Sequence, residues 1–304
     1  MGISDAAAIG RRAHSPSLRT SPMPDESRTI LITGATGKQG GALVRHLVGK
    51  GFHLKAMTRN PASDAAKALA ARGVELVAGD LNDAASLKAA LTGAWGAFGV
   101  QNTWEAGVAG EEEQGKRFAT MAKEAGVQHF VYTSVGSAHL KTGIPHFDNK
   151  SRIEDTVRSL GFPSFVILRP VFFMENLVSP WFLNGDMLVT AMKPTTKLQM
   201  IASDDIGRVA AQAFIRSADF AGKEIDLAGD VATMAETAAV LSQALGRKLT
   251  FMEIAIAEVR KNSEDFALML EWFASTGYSA DIPAVERAFN LKLTTLAEWA
   301  AQQR

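Results

Sequence analysis

The sequence contains no cysteine, which excludes disulfides, zinc–thiolate sites, iron–sulfur clusters and cysteine nucleophiles. It also lacks a basic excess, because 32 lysines and arginines balance 32 acidic residues, and a broad nucleic-acid surface would need such an excess. No apolar run approaches the roughly 20 residues that cross a bilayer. We therefore expect a soluble, cytoplasmic protein that binds neither nucleic acid nor membrane directly.

Two catalytic patterns are also missing, and one residue type is scarce. The six histidines show no HxxxH or HExxH spacing, so we expect no metal site. No GxSxG nucleophile elbow is present either. Tyrosine occurs only twice, as Tyr132 and Tyr278.

The first 27 residues differ from the rest of the chain. They are rich in Ser and Pro and show neither the 3.6-residue nor the 2-residue hydrophobic period. This composition predicts a disordered tail or a leader. A transit peptide is the alternative, since Arg11, Arg12 and Arg19 are accompanied by only one acidic residue, Asp5, before Asp25.

Between residues 28 and 170, short β-like runs alternate with helical patterns. Such alternation with apolar strands predicts a parallel sheet covered by helices on both faces, which is the doubly wound (Rossmann) α/β fold. The predicted strands are 29–34, 53–57, 74–79, 95–100, 129–134 and 164–169. The predicted helices are 38–50, 62–72, 84–92, 109–125 and 147–160.

Beyond residue 170 the alternation loosens, and we expect residues 171–304 to form mainly a smaller C-terminal α/β lobe for a substrate or partner. The segment 206–228 is expected to return to the Rossmann domain. Further helices are predicted over 232–246 and 256–274. The apolar segment 171–185 is open to three interpretations: packing between the lobes, the wall of a substrate pocket, or a partner surface.

The most informative motif is LITGATGKQGG, residues 31–41. It places Gly34, Gly37 and Gly40 in a GxxGxxG pattern, directly after a predicted strand and before a predicted helix. Glycines let the backbone approach a pyrophosphate, whose charge then lies at the N-terminus of the helix. The motif predicts a dinucleotide site.

The end of the second predicted strand indicates which dinucleotide binds. Sites for NAD place an Asp or Glu about 20 residues after the glycines, where it accepts from the ribose hydroxyls. This chain has Arg59 there instead. Because a guanidinium pairs bidentately with a 2′-phosphate, we predict NADP(H) rather than NAD(H).

Residues after the third and fourth strands complete the predicted site. Asp80 and Leu81 are expected near the adenine, and Gln101, Asn102 and Thr103 near the middle of the cofactor. Asp80 and Asn102 have an alternative role as caps of turns or helices.

Several stretches together resemble the NmrA-like family of atypical short-chain dehydrogenases/reductases, and within it a branch of NADPH redox sensors. They are GATGKQGG, TRNP, GDLND, QNTWE, HFDNK, LRPVFFMEN and TTLAEWAAQ, and they run from about residue 29 to the C-terminus. Phe173 and Met174 depart from the family's pattern, which leaves the selectivity of the nicotinamide pocket open. The resemblance implies that NADP(H) is held by Gly34, Thr36, Gly37, Lys38, Gln39, Gly40, Arg59, Asn60, Ser63, Asp80, Leu81, Gln101, Asn102, Thr103, Lys150, Phe173, Met174, Glu175 and Asn176.

A short-chain reductase normally carries Tyr-x-x-x-Lys, which puts a proton donor and a ribose-binding lysine on one helix face. Here Lys150 is present, but His146 stands four residues before it. Three interpretations remain open. Lys150 anchors the ribose beside a structural histidine, His146 itself donates the proton, or hydride transfer proceeds without a positioned acid, a route that suits quinones.

These residues predict an NADP(H)-binding regulatory protein that senses the redox state, with weak or no turnover. The alternative is an NADPH-dependent reductase of quinone, azo or related aromatic substrates. The partners to consider are NADP(H), a small aromatic substrate and a regulatory protein, and a homodimer remains open.

The assignment of Arg59 can be tested by titrating the protein with NADPH and NADH in parallel. NADPH should bind more tightly, because only its 2′-phosphate gives the guanidinium an anionic partner. Equal affinities would show that Arg59 does not select the cofactor.

Overall fold

A computed structural model describes residues 28–303, so the tail or leader predicted for residues 1–27 lies outside the described residues. The strands within this range are β1 (Thr29–Ile32), β2 (His53–Thr58), β3 (Glu75–Ala78), β4 (Gly96–Gly99), β5 (His129–Thr133), β6 (Ser164–Pro170), β7 (Phe172–Phe173), β8 (Leu183–Asn184), β9 (Met187–Thr190), β10 (Lys197–Ile201), β11 (Lys223–Leu227), β12 (Asp230–Thr233) and β13 (Thr250–Glu253).

The helices alternate with these strands in the first half of the chain and dominate the second. They are α1 (Lys38–Leu47), α2 (Asp64–Ala70), α3 (Ala84–Leu91), α4 (Thr103–Glu124), α5 (Pro145–Ser159), α6 (Ser203–Ile215), α7 (Ser217–Phe220), α8 (Met234–Leu245), α9 (Ile256–Asn262), α10 (Glu264–Ser275), α11 (Ile282–Phe289) and α12 (Leu296–Ala301). None of them is long and apolar enough to cross a membrane.

Seven strands form one parallel sheet in the order β11-β6-β5-β4-β1-β2-β3. Both of its faces are covered. Ile30 and Ile32 of β1 pack in the same apolar cluster as Leu43 of α1, whereas Leu31 between them packs with Phe118 of α4. Because successive strand residues point to opposite faces, this division confirms the predicted doubly wound fold.

The second half of the chain adds two small sheets and a separate apolar cluster. One sheet pairs β12, β10 and β7, and the other pairs β13, β9 and β8. The cluster includes Met269, Leu270 and Phe273 of α10, three members of an apolar stripe at helical spacing. These elements are the smaller α/β lobe that the sequence predicts.

The segment 206–228 lies against the main sheet. Strand β11 pairs in parallel with β6 at the edge of that sheet. Helix α6 packs on α1 so closely that a Cβ on Gly207 would lie 2.4 Å from the Cβ of Ala42. The absence of a side chain at Gly207 therefore sets the distance between the two helices.

Three predicted boundaries are wrong for local reasons. Helix α4 begins at Thr103 and not at 109, because Asn102 caps it and Gly107 allows a kink (φ 73°, ψ 166°) inside the pattern. The helix predicted over 256–274 is two helices, since Ser263 leaves helical geometry to cap α10. The helix predicted from 232 begins at Met234, after Thr233 has ended β12 and formed a capping box with Glu236.

A buried ion network fixes the β6–β11 edge to α5. The guanidinium of Arg169 donates to both carboxylate oxygens of Glu154, at 2.8 and 2.6 Å, and also bonds Glu224. Arg158 bonds the same two carboxylates from one turn farther along α5. Hydrogen bonds from Arg158 and Arg169 lower the pKa of Glu224 to about 2, against the opposing effect of burial.

Replacing Arg169 by alanine should lower the free energy of unfolding by about 3–5 kcal/mol, because the fully buried Glu154 would lose its main partner. Urea unfolding followed by circular dichroism measures this. The control is Arg152→Ala, a substitution on α5 that removes an exposed partner of Glu112. It should lower the free energy of unfolding by no more than about 1 kcal/mol. Equal effects of the two substitutions would contradict a structural role for the buried network.

Candidate functional site

The glycine loop forms a tight turn between β1 and α1. Gly34 has φ +58°, and the N–H of Gly37 donates to the Gly34 carbonyl at 2.9 Å. A Cβ on Gly40 would lie 2.4 Å from the same carbonyl oxygen. No side chain caps α1 and no acidic residue occupies its first turn, so its N-terminal N–H groups suit an anion.

The loop lies where the strand order of the sheet reverses. Strand β1 has β2 on one side and β4 on the other, and ligands of such sheets bind in the crevice outside the carboxyl ends of these strands. Thr33 ties the two strand ends together, since its hydroxyl donates to Phe98 O and accepts from Val100 N. Gln39 of α1 reaches β5 and accepts from the Thr133 hydroxyl at 2.6 Å.

Partnerless polar atoms lie directly after the strands that meet at this crevice. Both amide atoms of Gln101, which follows β4, are buried and lack a hydrogen-bond partner, and so does the hydroxyl of Ser134, which follows β5. Buried polar groups are nearly always paired in folded proteins. Together with the glycine cradle, these atoms fit a polar ligand such as the predicted dinucleotide.

Four polar side chains predicted to contact the cofactor are engaged locally. Asn60 Oδ1 accepts from Ala62 N, and Ser63 Oγ caps α2 by accepting from Ala66 N. Asp80 Oδ1 accepts from Asn82 N, and Asn102 Oδ1 accepts from Trp104 N. Asp80 and Asn102 therefore make the turn and cap contacts that were their alternative roles.

Two cations predicted to contact the cofactor are paired with carboxylates of one helix. Arg59 bonds Glu105 at the start of α4. Lys150 Nζ lies 2.6 Å from Oε1 of Glu111, farther along the same helix. The remaining predicted loop residues, Thr36 and Lys38, and Leu81 beyond β3 lie on the exposed or half-buried rim of the crevice.

Glu111 is fully buried, and the sequence analysis missed it. Its Oε2 accepts from Asn149 at 3.0 Å and from the Thr103 hydroxyl. Burial alone would raise the pKa of Glu111, but the charge and hydrogen bond of Lys150, helped by Thr103 and Asn149, lower it below the ordinary value. The carboxylate is thus ionised and neutralises Lys150.

One pattern in the sequence could have revealed Glu111. The run Glu111–Glu113 looks like a solvated acidic face, but Glu111, Gly115, Phe118 and Ala122 share a helical stripe, and all four are buried. A carboxylate within an apolar stripe indicates a buried, paired charge.

His146 is held across the lobes by the C-terminal half of the chain. Its Nδ1 lies 2.5 Å from Oδ1 of Asp265 on α10, and its ring lies 5.4 Å from that of Trp104. No residue between 28 and 303 hydrogen-bonds Nε2, and this atom is not enclosed in the interior. His146 thus presents one ring nitrogen to a ligand while the other is fixed.

Both tyrosines lie in surroundings that disfavour loss of the phenolic proton. Burial, and after it the nearby Glu111 and Glu154, raises the pKa of Tyr132 well above its ordinary value. Burial and Asp226 do the same for Tyr278. Among residues 28–303, no group of three His, Asp or Glu side chains is arranged to hold a metal ion.

The residues predicted to contact the cofactor at 173–176 also make contacts within the protein. The Met174 side chain is buried in the core of the smaller lobe, and Glu175 Oε1 accepts from Ser203 N and Oγ at the start of α6. Glu175 Oε2 is buried and has no hydrogen-bond partner, so this carboxylate keeps one unpaired oxygen. Phe173 is half-buried and Asn176 begins a turn with Ser179.

The apolar segment 171–185 is divided between core and surface. Phe172 is buried, whereas Trp181 is 77% exposed. The ring centroid of Phe266 on α10 lies 6.3 Å from that of Trp181 and 6.2 Å from that of Trp104. Trp104 is 65% exposed. We call these three residues, Trp104, Trp181 and Phe266, the aromatic rim.

A model of the NmrA-like family matches residues 26–300. The chain belongs to the NmrA-like family. Among its relatives, the NmrA-like family domain-containing oxidoreductase FrzB of Cladobotryum sp is 28% identical over 88% of this chain and 90% of its own length. The corresponding oxidoreductase notA' of Aspergillus versicolor is 33% identical over 69% of this chain and 67% of its own. The resemblance to the NmrA-like family noted in the sequence is confirmed.

Solved structures share the fold of this NmrA-like chain. The NADPH-dependent quinone oxidoreductase QOR2 of Escherichia coli, complexed with NADPH, is 27% identical with a TM-score of 0.75, covering 90% of this chain and 99% of its own. The negative transcriptional regulator NmrA, in complex with NADP, is 22% identical with a TM-score of 0.76, covering 91% and 95%. At that identity the regulator shows the common fold alone.

Gly40→Ala should weaken NADPH binding about tenfold or more, since the added Cβ collides with the Gly34 carbonyl and opens the turn. Calorimetric titration gives the affinity, and circular dichroism verifies the fold. Gly110→Ala is the control, because its Cβ would meet only the Ala106 Cβ at 3.4 Å. Unchanged affinity in a folded Gly40→Ala protein would show that the ligand does not approach this loop.

Proposed function

We propose that this protein is an NADP(H)-dependent reductase of flat aromatic or quinonoid acceptors. The observation that carries the proposal is the Asp265–His146 pair. It places a fixed imidazole with one available nitrogen one helical turn before Lys150. This proposal prefers the reductase, which the sequence analysis gave as the alternative, and the fixed imidazole is the observation that supports it.

The chain's own residues fit the cofactor that this function needs. The glycine loop would hold the pyrophosphate, Arg59 the 2′-phosphate, and Gln101 and Lys150 the part nearer the nicotinamide. When bound, the reduced nicotinamide supplies a hydride. The similar quinone oxidoreductase of Escherichia coli, complexed with NADPH, and the related fungal oxidoreductases support this assignment.

His146 would supply the proton. Reduction of a quinone to a hydroquinone consumes one hydride and one proton, and a protonated His146 can give the proton from Nε2 to the substrate oxygen. Asp265 orients the ring by accepting from Nδ1, and solvent restores the proton afterwards. Lys150, neutralised by Glu111, would serve as a hydrogen-bond donor to the ribose.

The aromatic rim suits a flat acceptor. Trp104 lies beside His146, and both Trp104 and Trp181 expose most of their surface. Exposed indoles can stack on a planar ring at little entropic cost, because each has only two side-chain torsions. This favours aromatic acceptors over aliphatic carbonyl compounds.

A second function, redox-responsive regulation, is favoured by the ion pairs that Arg59 and Lys150 make with carboxylates of α4. Because Arg59 and Lys150 are both paired with α4, a cofactor that engages either one perturbs this helix. Such coupling is what a redox-responsive regulatory protein needs. In that case the aromatic rim would be the surface for a protein partner or a second copy of the chain.

Oxidation of NADPH, followed at 340 nm with quinones, azo dyes and enones, distinguishes the two functions. We expect turnover with quinones, and His146→Ala should lower kcat about 10²–10⁴-fold through loss of the proton donor. Asp265→Asn should act in the same direction, because it disturbs the orientation of the ring. His139→Ala, which alters an exposed histidine just before α5, is the matched control.

Tight NADPH binding without turnover on any acceptor would reject the reductase and leave the regulatory function. Turnover that is unaffected by His146→Ala but lost in Lys150→Ala would show that hydride transfer proceeds without a positioned acid.

A further inference from the structure

Helix α4 carries both carboxylates that engage the cations of the candidate cofactor site. Glu105 lies before the kink at Gly107, and Glu111 lies after it. Residues 103–106 therefore form a single turn that the kink separates from the rest of the helix, and the hydrogen bond from Thr103 to Glu111 spans the kink. One element thus meets the site at Arg59 and again at Lys150.

The two ion pairs differ greatly in exposure. The Lys150 and Glu111 side chains are 11% and 0% exposed, and Thr103 and Asn149 also hold the carboxylate. The Arg59 and Glu105 side chains are 65% and 53% exposed, and Glu105 has no other side-chain partner among residues 28–303. The Arg59–Glu105 pair is therefore the one that a ligand can separate, since exposed ion pairs contribute little to stability.

We infer that Glu105 is a specificity-determining residue for the cofactor, acting by competing for Arg59. This inference rests on the proposed NADP(H) site. A 2′-phosphate is a stronger anionic partner for a guanidinium than a carboxylate is, because it carries more charge and more acceptor oxygens. A 2′-hydroxyl brings no charge and leaves the Arg59–Glu105 pair in place.

Glu105 thus lowers the affinity for any ligand that uses Arg59 and leaves other ligands unaffected. Asp80 is the second carboxylate whose charge acts on Arg59. Its side chain accepts from Asn82 N instead and forms no ion pair with Arg59. The competition is therefore assigned to Glu105 alone. Trp104, which precedes Glu105 in the chain, makes ring contacts with His146 and Phe266. Release of Glu105 would therefore occur one residue from a contact of His146.

The test measures binding and not activity. Wild type, Glu105→Gln, Arg59→Ala and the double variant are titrated calorimetrically with NADP⁺ and NAD⁺, and with the fragments 2′,5′-ADP and 5′-AMP. Glu105→Gln should tighten NADP⁺ and 2′,5′-ADP about two- to fivefold and change NAD⁺ and 5′-AMP by less than about 1.5-fold. In the Arg59→Ala background, Glu105→Gln should have no such effect.

Glu113→Gln is the matched control, because it removes the same charge from an exposed position of the same helix. An equal gain in Glu113→Gln, or an unchanged NADP⁺/NAD⁺ ratio in Glu105→Gln, would overturn the inference while leaving the cofactor site intact. Failure of the wild type to bind either dinucleotide would instead overturn the proposed site, and the inference with it.

Discussion

The buried carboxylate of Glu111 constrains the whole candidate site. An ionised group with no exposure must be paired, and here Lys150, Asn149 and Thr103 all converge on it. These bonds hold α5 against α4 beside the candidate site. The ammonium of Lys150 therefore lies at one place in the site, and the spacing along α5 then places His146 one turn away.

The smaller lobe completes the site as well as covering it. Asp265 reaches His146 from α10, and Phe266, the next residue, lies between the two exposed indoles. Apolar packing of Met269, Leu270 and Phe273 holds α10 in a cluster that also includes Phe147, the residue next to His146. The orientation of His146 therefore depends on a helix that lies more than 100 positions away in the sequence. A substitution inside that cluster would therefore shift α10 and, through Asp265, change the orientation of the His146 ring.

The features predicted correctly from the sequence are those with local causes. Glycine spacing, strand alternation and apolar periodicity each act within one βα unit, and they specify the loop, the sheet and its two covered faces. The ion pairs of Arg59, Lys150 and His146 could not be predicted in the same way, because their partners lie 46, 39 and 119 positions away. The kink at Gly107 was hidden for a different reason, since one glycine does not interrupt an apolar period.

Under the proposed reductase function, the presence of Glu111 also bears on the histidine at position 146. Where tyrosine stands one turn before lysine, the unpaired ammonium helps the phenol lose its proton near neutral pH. Lys150 cannot give that help, because the carboxylate beside it cancels its charge. A tyrosine at this position would remain a weak acid. The imidazole that stands there instead is oriented by Asp265 through Nδ1. Under the proposed function, the histidine at position 146 and the burial of Glu111 therefore belong to one arrangement.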